Sequence, residues 1–362
     1  MSSFKVEYTK ISKVYIHDNA DALELANVDG KTWQFVIKKG EFKVGDHVIF
    51  FPVDSVLPKD LVDHLGIGNF LAGANHDRIK TVKLRKQISQ GFVTSVQSIL
   101  GYIIRFPETR EAFQQPGYIE NADYTSILGV IKYEPPAVVS KNADLVRLPG
   151  FVPSYDIEVC DNFPNIVEML MDKVVVISEK LEGQNWGISI DAMDNVVVNQ
   201  RNYALRQNGG EGIHTMIAVS EEEGWVDIVK QIKVKYAPLG TVAIRGEFLG
   251  PGVQSNIYML KKHTIRIFEI ELNGKPVGAI EMLGIAHEFS IGNVVPILSQ
   301  DKTLREWLNG RTIQEASNGK SVLKTDILRE GIVVKPSNEE TVEGFGRLFI
   351  KMRSPEYLAK EA

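Results

Sequence analysis

The chain has 362 residues, which is enough for two domains at roughly 100–200 residues each. Apolar residues make up 44% and charged residues 24%, a composition that is typical of globular proteins and excludes a fibre or a disordered chain. The net charge of −5 excludes a uniformly basic nucleic-acid coat, although it leaves room for a local basic groove.

The cysteine content and the lack of long apolar runs bear on the compartment. The single cysteine, Cys160, excludes an intramolecular disulfide and a cysteine-rich zinc site, so a reducing setting is expected. The first residues lack an apolar signal core, and no run of about 18 apolar residues predicts a membrane span. We therefore expect a cytoplasmic protein with no membrane partner.

The first hundred residues contain several short β segments. They are rich in Val, Ile, Phe and Thr, and turn residues such as Asp29-Gly30 separate them. Short strands with few helical stretches predict a small β-barrel, closed by a short helix at 94–101. The segments read FKVEYTKISKVYI, KTWQFVIKK, DHVIFFPV, RIKTVKLR and QGFVTSV.

Scattered prolines mark a looser region in the middle of the chain. We place a linker at 136–154, between a first domain at 1–135 and a second at 155–362. The prolines are Pro107, Pro116, Pro135, Pro136, Pro149 and Pro153.

The second domain mixes strands and helices. Strand-like segments include KVVVIS, WGISI, NVVVN, TVAIRGEF and GIVVK, and helical patterns run over 214–236, 279–289 and 302–310. Because the strands are unevenly spaced between the helices, the pattern predicts an α+β domain and not a regularly alternating doubly wound sheet.

The familiar motifs of nucleotide-binding and hydrolytic enzymes are missing. Gly319-Lys320-Ser321 has Gln314 where a P-loop needs glycine, and Gly250-Pro251-Gly252 has Ser255 where a dinucleotide fingerprint needs glycine. His287-Glu288 lacks the second histidine of a zincin, and no G-x-S-x-G elbow occurs.

Charged residues instead follow β segments, where a rigid sheet can aim them into one cleft. The clearest group is Glu179-Lys180-Leu181-Glu182-Gly183, directly after KVVVIS. Taken alone, each such group favours an exposed strand end, and K-x-x-G also occurs at Lys275, after the hairpin signal Asn273-Gly274. The inference therefore depends on the order and spacing of the whole set, whose other members are Arg201, Glu247, Glu330–Lys335, Lys351 and Arg353.

In this order the groups resemble the motifs of the covalent nucleotidyltransferases, which include ATP-dependent DNA and RNA ligases and mRNA capping enzymes. Lys180–Gly183 is similar to the nucleophile motif K-x-[DE]-G, and Arg201 to the ribose-side arginine that follows it. Glu247 lies in a G-E-x-x-G motif. The later motifs are matched by Phe268-Glu269, Glu330–Lys335 and Lys351.

The first half of the chain narrows the resemblance. Residues 19–58 and 78–93 are similar to the leading OB-fold module of family 5, nick-sealing RNA ligases, in which this module precedes the catalytic domain. DNA ligases and capping enzymes have an OB domain after the catalytic domain. Because the chain ends at Ala362, shortly after Lys351, we expect no such domain there. The implied fold is an N-terminal OB-fold β-barrel followed by a covalent nucleotidyltransferase domain of the ligase adenylation type.

The resemblance implies an ATP-dependent RNA ligase. A lysine attacks ATP to form lysyl–AMP, AMP passes to an RNA 5′-phosphate, and a 3′-hydroxyl at a duplex nick then displaces AMP. The implied partners are ATP, Mg²⁺ or Mn²⁺, and RNA, and we expect a monomer. Two alternatives stay open. One is another covalent nucleotidyltransferase, either a DNA ligase or a capping guanylyltransferase, and the other is a non-catalytic RNA-binding protein with a ligase-like fold.

The resemblance also implies roles for single residues. The catalytic residues are Lys180, Lys335 and Lys351, and the metal-binding acids are Glu182, Glu247 and Glu330, of which the last two can instead bind ribose. Phe268 either stacks on adenine or belongs to the core. At Arg353 many relatives have a second lysine, which leaves the second phosphate contact open. The nucleotide-binding residues are Glu179, Lys180, Arg201, Glu247, Phe268, Lys335, Lys351 and Arg353.

A basic stretch lies in the first domain, directly after Asp77. Such a run is usually a solvated face. Here it falls on a predicted strand of the OB-fold, a module whose surfaces commonly bind nucleic-acid backbones. We therefore predict RNA contacts by Arg78, Lys80, Lys83, Arg85 and Lys86.

Overall fold

The computed structural model describes residues 4–105, 118–133, 143–152, 155–207, 212–343 and 345–361. The chain divides into two compact units. Unit 1 contains residues 1–136, 160–164 and 355–362, and unit 2 contains residues 137–159 and 165–354. The predicted boundaries thus stay a prediction, because unit 1 also takes in two later segments. Parts of the predicted linker lie outside the described residues, namely 136–142 and 153–154, as do Pro107, Pro116 and Pro135.

The strands and helices of the described residues are numbered in chain order. The strands are β1 Glu7–Ile16, β2 Leu23–Val28, β3 Phe35–Lys38, β4 His47–Phe51, β5 Ser55–Val56, β6 Val82–Leu84, β7 Gln87–Ser89, β8 Phe92–Ser95, β9 Ile131–Lys132, β10 Ala143–Arg147, β11 Glu158–Val159, β12 Val174–Lys180, β13 Gln184–Ile190, β14 Val196–Asn199, β15 Tyr203–Gln207, β16 Val242–Leu249, β17 Thr264–Leu272, β18 Lys275–Pro276, β19 Ile297–Thr303, β20 Gly331–Pro336, β21 Thr341–Val342, β22 Gly346–Arg347 and β23 Ile350–Arg353. The α-helices are α1 Lys59–Leu65, α2 Val96–Ile103, α3 Tyr118–Asn121, α4 Tyr124–Ile127, α5 Pro164–Leu170, α6 Thr215–Glu222, α7 Trp225–Tyr236, α8 Ala279–Glu288, α9 Leu304–Leu308, α10 Ile313–Ser317 and α11 Pro355–Glu361. Short 3₁₀ turns span Gly68–Phe70 and Cys160–Asn162.

Five strands of unit 1 form an antiparallel sheet, in the order β3-β2-β1-β4-β8, that curls into a nearly closed barrel. The first half of β1 pairs with β4 and its second half with β2, and a register shift between Ile11 and Lys13 lets the strand bend between these partners. The remaining gap narrows where the Gln90 N–H donates to the Gln34 carbonyl at 2.7 Å. The predicted OB-fold barrel is confirmed.

A helical layer covers one face of this barrel. Ile49 and Phe51 on β4 are fully buried against Leu61 of α1 and Ile99 of α2. The predicted helix at 94–101 corresponds to α2, which begins at Val96 because the preceding serine hydroxyl accepts a hydrogen bond from the first turn.

Unit 2 is built on two sheets. The larger has the order β10-β15-β14-β13-β16-β17-β18, and the smaller has the order β11-β23-β20-β12-β19. Helices α6, α7 and α8 pack on the larger sheet, where the buried rings of Trp186 and Trp225 lie 5.3 Å apart in the core. The predicted α+β architecture is confirmed. No helix of the described residues is long and apolar enough to cross a membrane.

Three details of unit 2 differ from the sequence predictions. The predicted helix at 214–236 is two helices, α6 and α7, because Gly224 between them is left-handed with a φ of 76°. The predicted helix at 302–310 begins only after Thr303, whose hydroxyl caps α9. Residues 143–147, which the linker prediction included, form the edge strand β10 and pair with β15.

Candidate active site

The predicted nucleophile motif lies at the end of β12, beside two strands that carry other predicted site residues. On β20, Gly331 pairs with Lys180 on one side and with Arg353 on the other. A side chain at position 331 would run into the Met352 carbonyl, so glycine permits this close approach. The strand register therefore gathers residues that are distant in sequence at one place on the sheet.

A single carboxylate bridges two cations at this place. Lys180 Nζ donates to Glu330 Oε2 at 2.6 Å, and Arg353 Nε lies 3.2 Å from Glu330 Oε1. The Glu330 side chain is 8% exposed whereas that of Lys180 is 25% exposed, so the acid is covered while the amine is accessible. Three residues from three separate motifs are therefore in direct contact.

Glu247 approaches the same lysine from the larger sheet. A Cβ at Gly183 would lie 2.6 Å from the Phe248 carbonyl oxygen, so the glycine of the nucleophile motif is required by the contact with β16. Burial raises the pKa of Glu247 to about 8; the Lys180 ammonium opposes this rise and the Glu330 carboxylate adds to it. The Glu247 carboxyl is therefore largely protonated at neutral pH unless a further cation approaches.

Lys180 and Glu247 border a cavity of about 730 Å³, part of which is open to solvent. The cavity collects side chains from β12, β16, β17, β20 and β23, which is the convergence that the motif order predicts. The predicted residues that line it are Glu179, Lys180, Arg201, Glu247, Phe268, Lys335 and Lys351. Their individual roles stay predictions.

One wall of the cavity is aromatic and apolar. The half-buried Phe268 ring lies 5.1 Å from the Tyr155 ring, which also stacks on Phe349 at 6.1 Å. Val295 and Val333 line the same cavity. Phe268 thus packs against its neighbours and also faces the cavity, so the two interpretations of this residue do not exclude each other. A flat apolar wall of this kind suits a purine base.

Three buried polar atoms at the cavity have no hydrogen-bond partner among the described residues. They are Glu179 Oε1, Asn185 Oδ1 and Tyr155 Oη. The other carboxylate oxygen of Glu179 accepts from the Val322 N–H at 2.8 Å, and burial raises the pKa of this carboxyl. Because a buried polar atom without a partner costs free energy, these atoms suit a polar ligand.

An acid that the sequence analysis did not find lies between two of the predicted cations. Asp156 Oδ2 is 2.8 Å from Arg201, and Asp156 Oδ1 is 3.8 Å from Lys351. No motif in the sequence marks this aspartate. Only the fold brings it beside Arg201, in the turn after β14, and beside Lys351 on β23.

Lys335 is also held by an acid. Lys335 Nζ donates to Glu269 Oε2 at 3.1 Å and to the Phe268 carbonyl at 3.0 Å. Arg347 lies 2.8 Å from the same Glu269 oxygen. Burial alone would raise the pKa of Glu269, but Lys335 and Arg347 outweigh burial and hold this pKa below its ordinary value. The position of Glu269 directly after Phe268 was a signal for this role, whereas Arg347 had none.

The three predicted metal-binding acids do not converge on one point. Glu182 Oε1 accepts from the Ser255 N–H at 2.9 Å, and of the three acids only Glu247 is among the residues that line the cavity. In the described parts of the chain, no group of three or more acidic, histidine or cysteine side chains is arranged to hold a metal ion. Lys180 lowers the pKa of Glu247 and donates to Glu330, and both acids offer the carboxylate oxygens that Mg²⁺ prefers. This donor set fits a divalent ion that keeps several waters, and it does not fit a closed protein cage.

The predicted RNA-binding stretch of unit 1 divides into two parts, of which the first is fixed within the unit. Arg78 Nη2 lies 2.5 Å from Asp54 Oδ1, and the Arg78 guanidinium lies 3.4 Å from the centre of the Tyr133 ring. The side chain is only 17% exposed. Lys80 is half-buried.

The second part of the stretch is an exposed hairpin. Lys83, Arg85 and Lys86 belong to the β6–β7 hairpin, which forms its own two-stranded sheet outside the barrel sheet, contrary to the predicted barrel strand. Arg85 and Lys86 form its turn with φ angles of 47° and 74°, the left-handed region that usually takes Asn and Gly. RNA contact by this hairpin stays a prediction.

Known proteins resemble this chain in both units. A family model described as an OB-fold domain matches residues 6–96, and one described as RNA ligase matches residues 173–353. No curated protein sequence matches the chain. Three solved structures of a Naegleria gruberi RNA ligase match nearly all of it. An apo mutant is 25% identical with a TM-score of 0.75 and 99% of both chains covered. A mutant with ATP and Mn is 25% identical with a TM-score of 0.75, and a form with PPi is 26% identical with a TM-score of 0.72, each covering 98% of both chains.

Proposed function

We propose that this chain, which belongs to the RNA ligase family, uses ATP to join an RNA 3′-hydroxyl to an RNA 5′-phosphate at a nick in a duplex. The observation that carries the proposal is the set of side chains around Lys180 in the cavity. There a lysine amine at a strand end faces a space bordered by further cations, acids and an aromatic wall. Such a set of side chains suits covalent capture of the AMP part of a nucleotide.

The first step is attack of Lys180 Nζ on the α-phosphorus of ATP. The N–P bond forms, the bond from the α-phosphorus to the bridging oxygen breaks, and pyrophosphate leaves. The attacking amine loses a proton, and Glu330 Oε2, which lies 2.6 Å away, accepts it. Lys335 and Lys351 complement the negative charge of the triphosphate.

Two further transfers complete the reaction. AMP passes from Lys180 to the RNA 5′-phosphate, so that the N–P bond breaks and a phosphoanhydride bond forms. The oxygen of the 3′-hydroxyl then attacks the 5′-phosphorus and its proton passes to solvent, the bond from that phosphorus to the bridging oxygen breaks, AMP leaves, and a phosphodiester remains. Both transfers need fixed RNA ends, and we assign part of this task to the β6–β7 hairpin of the OB-fold unit because phosphate contacts set the register of a nucleic acid.

Recognition of the nucleoside divides among four side chains. Phe268 stacks on adenine, and Arg201 and Glu247 contact the ribose. The unpartnered Glu179 Oε1 accepts a hydrogen bond from the amino group of adenine. Guanine has a carbonyl oxygen at the same ring position, which would face the acid as a second acceptor. This difference favours ATP over GTP.

A divalent cation, Mg²⁺ or Mn²⁺, supplies positive charge to the phosphates when it is bound. Glu247 and Glu330 would hold it, with waters completing its shell. The raised pKa of Glu247 supports this assignment, because burial without enough nearby positive charge is what keeps this carboxyl protonated.

We further propose a monomer that works in the cytoplasm. The single cysteine, Cys160, is buried and its thiol is not part of a disulfide, which suits a reducing compartment.

Labelled nucleotides test the proposed function directly. The protein is incubated with Mg²⁺ and α-labelled ATP or GTP, and the products are separated on a denaturing gel. We expect label on the protein from ATP and sealing of nicked duplex RNA. Label from GTP alone would indicate a capping guanylyltransferase. If the protein sealed an all-DNA nick equally well, it would be a DNA ligase. If neither nucleotide labelled it, it would be a non-catalytic RNA-binding protein.

A further inference from the structure

Arg353 lies outside the lining of the cavity that we assign to the nucleotide. It ends β23, two residues after Lys351, and Lys351 lines the cavity whereas Arg353 is not among the lining residues. Its guanidinium lies instead beside Glu330, with Nε 3.2 Å from Glu330 Oε1. A nucleotide contact is predicted for this arginine from its place in the motif, whereas the geometry favours a different role.

Glu330 has a cation beside each of its carboxylate oxygens and accepts a hydrogen bond at its backbone. Oε2 accepts from Lys180, and Oε1 faces Arg353. The Glu330 carbonyl accepts from the Ser354 N–H at 2.7 Å. The segment 353–354 therefore fixes the side chain and the main chain of the acid that contacts Lys180.

The strand register makes this arrangement rigid. Lys180 and Arg353 are both partners of Gly331, one on each side of β20. With the Glu330 carboxylate between them, the three charges alternate in sign across three adjacent strands. Loss of Arg353 would leave a covered carboxylate, 8% exposed, able to turn away from the lysine.

We infer that Arg353 is a positioning residue, which holds the Glu330 carboxylate against Lys180 and acts on lysyl–AMP formation through Glu330, without contacting phosphate. The inference rests on the proposed function of Lys180. A group that positions another changes the rate of the chemical step, whereas a phosphate contact changes the affinity for ATP as well.

A double-mutant cycle tests this role. Single-turnover rates of adenylylation are measured at several ATP concentrations for the wild type, Arg353→Gln, Glu330→Gln and the double variant. We expect Arg353→Gln to lower the maximal rate by about 10-fold with little change in the half-saturating ATP concentration, and to have no further effect in the Glu330→Gln background. Independent, multiplying effects, or a loss confined to ATP affinity, would overturn the inference and restore the phosphate contact.

Two controls separate this inference from the proposed function. Arg305→Gln removes an arginine that pairs with Asp172 on the surface of the same unit, and it should leave the rate unchanged. If the wild type formed no adduct, the proposed function would be wrong, and the contact of Arg353 with Glu330 would be tested by itself, by denaturant unfolding of the same four proteins. Non-additive stabilities would support the coupling of Arg353 with Glu330, and additive ones would overturn it.

Discussion

Cations occur in two settings in this molecule, and the settings differ in how their charge is balanced. At the cavity of unit 2 every predicted cation has an acid beside it: Lys180 has Glu330, Lys335 has Glu269, and Lys351 and Arg201 share Asp156. On the β6–β7 hairpin of unit 1, the described residues supply no ion pair to Lys83, Arg85 or Lys86.

The difference separates fixed geometry from free charge. Cations that face acids on neighbouring strands keep a set orientation before a ligand arrives, which is what a reaction at one phosphorus atom requires. Cations without an acidic neighbour are available to neutralise the phosphates of a nucleic acid. Such phosphate contacts attract the nucleic acid regardless of its base sequence. We therefore assign chemistry to the first setting and RNA attraction to the second.

The strongest test of the comparison concerns Lys180. Lys180→Ala should abolish the AMP adduct completely, because the amine that forms the covalent bond is gone. Lys275→Ala is the matched control, since Lys275 has the same K-x-x-G spacing but lies exposed at a hairpin. Intact-mass measurement after incubation with ATP and Mg²⁺ detects the AMP adduct on each variant. An adduct that persisted without Lys180, or that vanished without Lys275, would break the assignment of chemistry to the cavity.

The next effect concerns Glu247, a cavity acid that forms no ion pair with the described residues. Its pKa is raised to about 8 in the folded protein from an ordinary value of 4.5. The folded state therefore holds a proton that the unfolded state releases, and stability should fall as the pH rises from 4.5 to 8. Glu247→Gln lacks this fall, so its free energy of unfolding relative to the wild type should increase by a few kcal/mol across that range.

Denaturant unfolding at pH 5 and pH 8.5, without ATP or metal, measures this effect. The exposed Glu221→Gln serves as the control and should follow the wild type at both pH values. If the free energies of unfolding of the wild type and Glu247→Gln changed equally between pH 5 and pH 8.5, the pKa of Glu247 would not be raised. Glu247 would then no longer be supported as an acid that binds a cation.

The motif residues of the cavity were predictable because each motif joins a strand to a polar residue at its end. A sheet with fixed register then brings such ends together, as Gly331 does for Lys180 and Arg353. Asp156 and Arg347 were not predictable, since their contacts depend on tertiary packing between segments that share no pattern. A small β-barrel and the α+β class followed from the strand pattern, whereas the OB-fold followed from the resemblance to family 5 RNA ligases, and the OB-fold model matching residues 6–96 agrees with it.

The basic stretch was less predictable than the cavity. Its charge alone did not reveal which of its cations pair with an acid in the folded protein. The run was predicted as one strand of the barrel, but its turn at Arg85-Lys86 makes a separate hairpin. Neither residue is the glycine or asparagine that normally announces a left-handed turn. Arg78 carries the same charge but is committed to Asp54.

The hairpin turn offers a variant that removes charge without weakening the fold. Arg85→Asn together with Lys86→Gly supplies the residues that a left-handed two-residue turn prefers, so the hairpin should be retained or stabilised. Nicked duplex RNA should nevertheless bind about 10-fold more weakly, and the salt dependence should flatten by about 0.9 for each phosphate that the protein no longer neutralises. ATP-dependent adduct formation should stay at the wild-type level.

RNA binding at several salt concentrations measures this prediction. The exposed pair Lys38 and Lys39, changed to glutamine, is the matched control and should leave the salt slope nearly unchanged. If both double variants lowered the slope equally, attraction would come from the general charge of unit 1, and the hairpin would lose its special role.

The smallest effect should come from Arg78, which tests whether a cation of the same stretch belongs to the fixed class. Arg78→Gln removes the contact with Asp54 and the contact with the Tyr133 ring, and it should lower the stability of unit 1 by about 1–2 kcal/mol. Asp54→Asn is a suitable partner variant, because Asp54 has a φ of 73° and asparagine tolerates that conformation. The two changes together should cost less than the sum of the single changes, since each removes the same ion pair.

The RNA salt slope of Arg78→Gln should match the wild type, because a guanidinium that is 17% exposed and already paired releases few counterions from RNA. A flatter slope with unchanged stability would instead place Arg78 among the free cations, and the boundary between the two settings would then lie inside the barrel rather than at the hairpin.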